Sequence, residues 1–190
     1  MGNFWDDNTT WDLARLLASD IGYIVERIIG LKPIVESGSI LDIGCGDGKL
    51  IAELAKIYPK ARRYGLSNRY DVAEARKNNP DADIKVGLIQ NLPFENDLIQ
   101  FATTSNTFDY AEESLGLRLE DGTRLRIKPA TFKLEDLARE VKRVLVPGGI
   151  YILFEGGFED YLSLDTWAIF ERHLEPLHKE TSGFRIFRKT

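Results

Sequence analysis

The sequence predicts an α/β fold: a three-layer αβα sandwich around a seven-stranded, mostly parallel sheet that ends in an antiparallel hairpin strand. Three observations carry this expectation. Short apolar runs alternate with helix-length amphipathic stretches from residue 39 to residue 174, and strands alternating with helices imply βαβ crossovers and a sheet covered on both faces. The first of those strands runs into a glycine-rich turn, ILDIGCGDGKL at 40–50, at the place where such sheets bind ligands. The closing stretch LHKETSGFRIFRK, 177–189, abandons the rhythm for two short strands around Ser182-Gly183.

Taken in order, apolar residues Leu13, Leu16, Leu17, Ile21, Ile24 and Ile28 recur at helical spacing, so a helix is expected from Trp11 to about Ile29, with Thr9 and Asp12 as its capping box. Residues 1–34 are read as an N-terminal helical cap. The strand at 39–43 is followed by a helix from Lys49 to Ile57, ended by Pro59. A strand at 61–66 leads to a helix over 71–77 that stops at Asn78-Asn79-Pro80. Strands are expected again at 84–88 and 98–104. Leu134, Leu137, Ala138, Val141 and Leu145 mark the next helix, and VPGG at 146–149 turns the chain into the strand at 150–154. A last helix begins at Ser163 and carries Trp167, Phe170 and Leu174 on one side. Between Leu117 and Ile127 the pattern changes to strict alternation around Asp121-Gly122, a hairpin signal, and 114–130 is read as an inserted β-hairpin.

Composition bounds the rest. At 190 residues, 43% hydrophobic and 29% charged, the chain is expected to be one ordinary globular domain over 1–190. A net charge of -5 argues against nucleic-acid binding by the whole surface. Cys45 is the one cysteine, so no intramolecular disulfide and no cysteine-cluster metal site is expected, and no metal is assigned. The start MGNFWDDNTT lacks an apolar signal core and no stretch is apolar enough to span a membrane, so the expected location is cytoplasmic.

Glycines at 44, 46 and 48 free the turn to adopt unusual φ/ψ and let a ligand approach the backbone, while the helix that follows offers unpaired N–H groups to an anion. Asp42, two residues earlier, suits an ammonium group. A ligand bearing both charges, an amino acid, fits this pair better than a pyrophosphate. The dinucleotide pattern GxGxxG also fails, because Lys49 stands where its third glycine belongs.

ILDIGCGDGKL resembles the first motif of the class I S-adenosylmethionine-dependent methyltransferases. GLIQNLPFEND at 87–97 resembles that family's third-strand segment, and REVKRVLVPGGIYIL at 139–153 its helix, Pro-Gly-Gly turn and fifth strand. The resemblance implies S-adenosylmethionine as cofactor, with S-adenosylhomocysteine as product. It places Asp42, Gly44 and Gly46 on the methionine part, with Cys45 contributing backbone. Ser67 and Asn68 fall where the family usually carries an acidic residue that binds the ribose hydroxyls, and offer neutral hydrogen bonds instead. Leu88 stands where an aspartate commonly bonds the adenine, so Leu88 and Ile89 are expected to sandwich the ring.

Methyl transfer is an in-line displacement that needs alignment and a dry site, with a base only where the nucleophile must lose a proton. The end of the fourth strand should supply those groups: Asn106 beside cofactor and acceptor, and Asp109 and Tyr110 as candidate catalytic residues, with Glu112 a further candidate base. No Asn/Asp-Pro-Pro-aromatic motif marks an amide or base nitrogen as target, so the acceptor is read as a small molecule or a protein side chain. Phe4, Trp5 and Trp11 are lid or core residues, and His173 and His178 packing or surface residues. The hairpin's Arg118, Arg124, Arg126 and Lys128 form a basic stripe, either a solvated face or a partner site. The alternative reading is a non-catalytic protein of this fold that lost the cofactor and binds a partner through 114–130.

Overall fold

In this computed structural model the described residues are 7–28, 37–68, 70–105, 107, 115–118, 124–127, 134–154, 164–181 and 184–190. In chain order they form α1 (Asp7–Tyr23), continued by a π-helical turn at Ile24–Ile28, then β1 (Ser39–Ile43), α2 (Lys49–Ile57), β2 (Arg62–Ser67) and α3 (Val72–Asn78). Next come β3 (Asp83–Val86), β4 (Ile99–Ser105), β5 (Leu115–Arg118), β6 (Arg124–Ile127) and α4 (Leu134–Val144). The chain closes with β7 (Leu145–Phe154), α5 (Leu164–Glu171), β8 (Glu175–Thr181) and β9 (Phe184–Arg188).

Seven strands share one sheet in the order β3-β2-β1-β4-β7-β9-β8. β1 pairs in parallel with β2 and β4, β3 with β2, and β7 with β4, while β9 runs antiparallel to β7 and β8. The mostly parallel sheet and its reversed last strand are as the sequence predicts. Strand order reverses beside β1, which opens a crevice at the carboxyl ends of β1 and β4.

The two faces follow from strand alternation. Ile40 packs with Phe101, Ile152 and Ile186 against Ala18, Ile21 and Val25 of the N-terminal helical segment and Leu50 and Leu54 of α2. Leu41, Ile43, Ala102, Tyr151 and Leu153 face the other way, onto Leu137, Val141 and Val144 of α4 and Phe170 of α5. Asp42 therefore lies on the α1 side with Ile40. A smaller cluster of Cys45, Ile51, Ala75 and Ile84 fills the space beneath α3.

Two boundaries differ from the sequence reading. α1 already runs at Asp7, so Thr9 lies inside the helix rather than at its cap, and Asp12 pairs instead with Arg15 at 2.8 Å. VPGG is a bulge within β7 and not a turn before it. The register jumps from Ile99↔Leu145 to Phe101↔Ile150, with Gly148 at φ 77. Gly148 N–H donates to the Lys189 carbonyl and Lys189 N–H to the Gly149 carbonyl, so the backbone beyond β9 absorbs the extra residues. β5 and β6 pair antiparallel, Leu117 opposite Leu125, as a two-stranded sheet of their own, with the expected turn lying outside the described residues. No helix among the described residues is long and apolar enough to cross a membrane.

Candidate functional site

The turn after β1 is pinned before any ligand enters. Gly44 and Cys45 N–H both donate to the Leu66 carbonyl at the end of β2, at 3.0 and 2.8 Å, and Gly48 N–H donates back to the Cys45 carbonyl at 2.8 Å. Gly44, Gly46 and Gly48 all sit at positive φ, 82°, 51° and 80°, where a Cβ is strained.

The three glycines have different tasks. A Cβ on Gly44 would lie 2.5 Å from the Thr107 Oγ1, whose hydroxyl sits 3.0 Å from the Ser105 carbonyl and 3.3 Å from the Ile43 carbonyl. A Cβ on Gly48 would lie 2.5 Å from Asn79 Nδ2, which donates to the carbonyls of Gly48 and Ala75 and so ties the turn to α3. Around Gly46 nothing lies within 4 Å of the added carbon. Gly44 and Gly48 are thus required by their packed neighbours as well as by their backbone conformation. Gly46 is where the backbone is bare toward open space.

Asp42 is the unusual group. It is 2% exposed, and among the described residues its carboxylate has no hydrogen bond or ion pair. Burial pushes its carboxyl up to about 7, because an unpaired charge loses its hydration there. Its neighbour in register on β4, Thr103, also has a buried hydroxyl without a partner. Asp42 lines a cavity of about 270 Å³ with Gly44, Cys45, Asp47, Lys49 and Ser105, to which α1 and Phe154 also contribute lining residues. The one cation among the described lining residues, Lys49, lies 2.9 Å from Asp47 and 5.6 Å from the centre of the Trp11 ring, so it links the turn to α1. A buried carboxylate lacking a cation, beside a bare stretch of backbone, suits an ammonium-bearing ligand.

A protein-family model of the methyltransferase domain matches residues 41–153, which include this turn and β4. The chain belongs to that family. No curated protein matches it at the sequence level. Solved structures share the fold at low identity. A TehB-like SAM-dependent methyltransferase from Corynebacterium glutamicum is 19% identical, over 94% of this chain and 99% of that one, with a TM-score of 0.61. A proposed S-adenosyl-L-methionine-dependent methyltransferase from Methanococcus maripaludis is 18% identical, over 100% and 97%, with a TM-score of 0.62. Geranyl diphosphate C-methyltransferase from Streptomyces coelicolor, solved with Mg2+, geranyl-S-thiolodiphosphate and S-adenosyl-L-homocysteine, is 12% identical over 80% and 70%, with a TM-score of 0.53.

In this methyltransferase domain the residues after β2 are occupied by structure. Ser67 is 2% exposed and its hydroxyl donates to the Gly46 carbonyl at 2.8 Å. An ionised carboxylate there would have no proton to give that carbonyl, which supplies a physical reason for the missing acidic residue. Asn68 accepts from the N–H groups of Tyr70 and Asp71 and donates to the Asp71 carboxylate, an Asx turn that opens α3. Leu88 is 48% exposed, bridged to Asn91, while the half-buried Ile89 packs on the core. Their segment is stapled to α4 by Arg143, which donates to the carbonyls of Leu92 and Phe94, to Asn96 and to Glu140; Glu140 in turn accepts from Leu92 N–H.

Cys45 packs in the small apolar cluster and burial pushes its thiol far up, so it is no nucleophile. His173 pairs with the Glu135 carboxylate and joins the end of α5 to the start of α4. That bond holds the Glu135 carboxyl below its usual range. Asn106, Asp109 and Tyr110 lie outside the described residues, as do Phe4, Trp5, Glu112 and Lys128, and the side chains of His178 and of the hairpin arginines. Among the described residues no group of three or more His, Cys, Asp or Glu is placed to hold a metal. Sequence reasoning missed Thr107 and Asn79, whose partners are remote in sequence. It also missed the cavity face of α1, where Leu13 and Leu16 fit an ordinary apolar stripe.

Proposed function

We propose that this chain binds S-adenosylmethionine at the carboxyl ends of β1 and β4 and transfers its methyl group to an acceptor, a small molecule or a protein side chain. The observation that carries the reading is Asp42: buried, without a partner among the described residues, and lining the cavity together with Gly44 and Cys45 of the turn. The residues present fit the cofactor. Asp42 accepts hydrogen bonds from its ammonium, the Gly46 backbone admits its close approach, and Lys49 with the first N–H groups of α2 faces its carboxylate. Ser67, Asn68, Leu88 and Ile89 border the adenosine end. When bound, the cofactor supplies an electrophilic methyl group on a sulfonium.

The chain's part is then to align and to exclude water. Asp42 is 2% exposed, so an ion pair made there forms in a poorly hydrated place where it is strong. Asn106 is assigned to both ligands, and Asp109 or Tyr110, in the segment after β4, to acceptor binding or proton removal.

Ser67 and Leu88 favour a second reading, a non-catalytic binding protein of the same fold. The Ser67 bond to Gly46 gives the first replacement a structural reason and supports the enzyme reading instead. Calorimetric titration with S-adenosylmethionine and S-adenosylhomocysteine tests the choice. Dissociation constants near the micromolar range, about -8 kcal/mol, are expected; no heat and no thermal shift at millimolar ligand refutes it.

A further inference from the structure

The cavity under α1 is also lined by residues that the cofactor reading leaves unused. Leu13, Leu16 and Leu17 of α1 and Phe154 at the end of β7 form an apolar wall. Leu13 and Leu16 remain 47% and 62% exposed, so apolar surface is left uncovered at the mouth of a cavity, where it marks a ligand or partner. Asp20, one turn beyond Leu16 and Leu17, lines the same space.

Asp20 differs from its neighbours in having no partner. Asp12 pairs with Arg15, Arg15 also reaches Glu53 at 3.6 Å, and Glu53 pairs with Lys56. Asp20 has no hydrogen bond or ion pair among the described residues. Lys49 cannot neutralise the cavity, because it is matched to Asp47, and Asp42 is the group the cofactor's ammonium takes. Among the described residues the lining left to an acceptor therefore combines an apolar wall with Asp20, an exposed carboxylate that no cation neutralises. Phosphates and carboxylates are repelled from such a space, and an amine on an apolar body complements it.

We propose, building on the methyltransferase reading above, that the acceptor is a small molecule with an apolar body and a protonated amine. Its body lies against Leu13, Leu16, Leu17 and Phe154, and its cation is held by Asp20. Asp20 is thus an acceptor-selecting residue contributed by the N-terminal helix.

The test uses the full chain saturated with S-adenosylhomocysteine and three probes of one length: hexylamine, 1-hexanol and hexanoate, followed by ligand-observed NMR. Hexylamine should bind about tenfold tighter than hexanol, the size expected of a charge-assisted bond over a neutral one, and hexanoate weakest. Asp20→Asn should bring hexylamine to the level of hexanol and leave S-adenosylhomocysteine affinity unchanged. Leu16→Ser should weaken hexylamine and hexanol together. Equal binding of amine and alcohol by the unsubstituted chain, preference for hexanoate, or an amine preference that survives Asp20→Asn overturns the proposal while leaving the cofactor assignment intact. Failure of S-adenosylhomocysteine itself to bind overturns the methyltransferase reading, and this proposal with it.

Discussion

Asp42 has its carboxyl pushed from 3.8 to about 7 by burial alone. Roughly three pH units separate the folded and unfolded groups, and at about 1.36 kcal/mol per unit the ionised side chain costs the fold on the order of 4 kcal/mol. The folded value is the higher one, so the associated stability is fully present below pH 3.8 and is lost as pH rises through about 7. Asp42→Asn removes the titration but keeps a buried amide in need of partners, which costs about 1–3 kcal/mol. Above pH 7 the variant should therefore be the more stable protein, by about 2 kcal/mol, or about 4–8 °C in melting temperature for a chain of this size. Urea unfolding of both proteins from pH 4 to 8.5 reads this directly. The difference should move in the variant's favour by about 1.4 kcal/mol per pH unit, from a deficit of about 2 kcal/mol near pH 4 through zero to its full value at about pH 7, and then level off, because the other titrating groups are common to both. The same substitution should weaken S-adenosylmethionine at least tenfold, since a charged hydrogen-bond acceptor is gone. A stability difference that does not change with pH would refute the account of Asp42 as a carboxylate held without a partner.

Four further outcomes are expected. Gly48→Ala places a carbon 2.5 Å from Asn79 and 3.1 Å from the Ala75 Cα at positive φ, and should cost about 3 kcal/mol in chemical denaturation. Gly46→Ala, with open space around it, should cost only about 1 kcal/mol and lose cofactor affinity instead, as a paired denaturation and titration will show. Arg143→Ala releases the 88–97 segment and should cost about 2 kcal/mol by urea unfolding; Glu140, held below its usual 4.5 chiefly by its Arg143 bond, makes that contribution present above pH 4.5 and lost as pH falls through the lower folded value. The lone thiol of Cys45 should resist a disulfide reagent at pH 8 in the native protein and react at the rate of a free thiol in denaturant; fast native labelling would show that the turn opens.

Much of the fold was legible because it depends on period. Alternation and helical spacing located β1, α2, α4 and β9 to within a residue or two, and ILDIGCGDGKL placed the site at the carboxyl end of β1. The errors fall where neighbours in space overrule neighbours in sequence. VPGG reads as a turn, yet Gly148 and Gly149 sit inside β7 because Lys189 supplies their backbone bonds. The bond from the Ser67 hydroxyl to the Gly46 carbonyl, between residues 21 apart in the chain, is likewise invisible to local patterns. Nothing in the spacing of residues 44–48 separates the glycine that meets Thr107 from the one that meets Asn79 or the one that meets nothing.

The sequence by itself determined the order of strands and helices, the glycine-rich turn and the aspartate ahead of it, because these follow from local periodicity and the conformational freedom of single residues. The tertiary structure decided that Asp42 is buried without a partner among the described residues, that a Cβ on Gly44 or Gly48 would meet a neighbour while one on Gly46 would meet none, and that Asp20 lines the same cavity as Asp42. Those properties arise only when β1, β4, β7 and α1 meet. A charge's hydration and the room around a backbone are set by atoms far away in the chain.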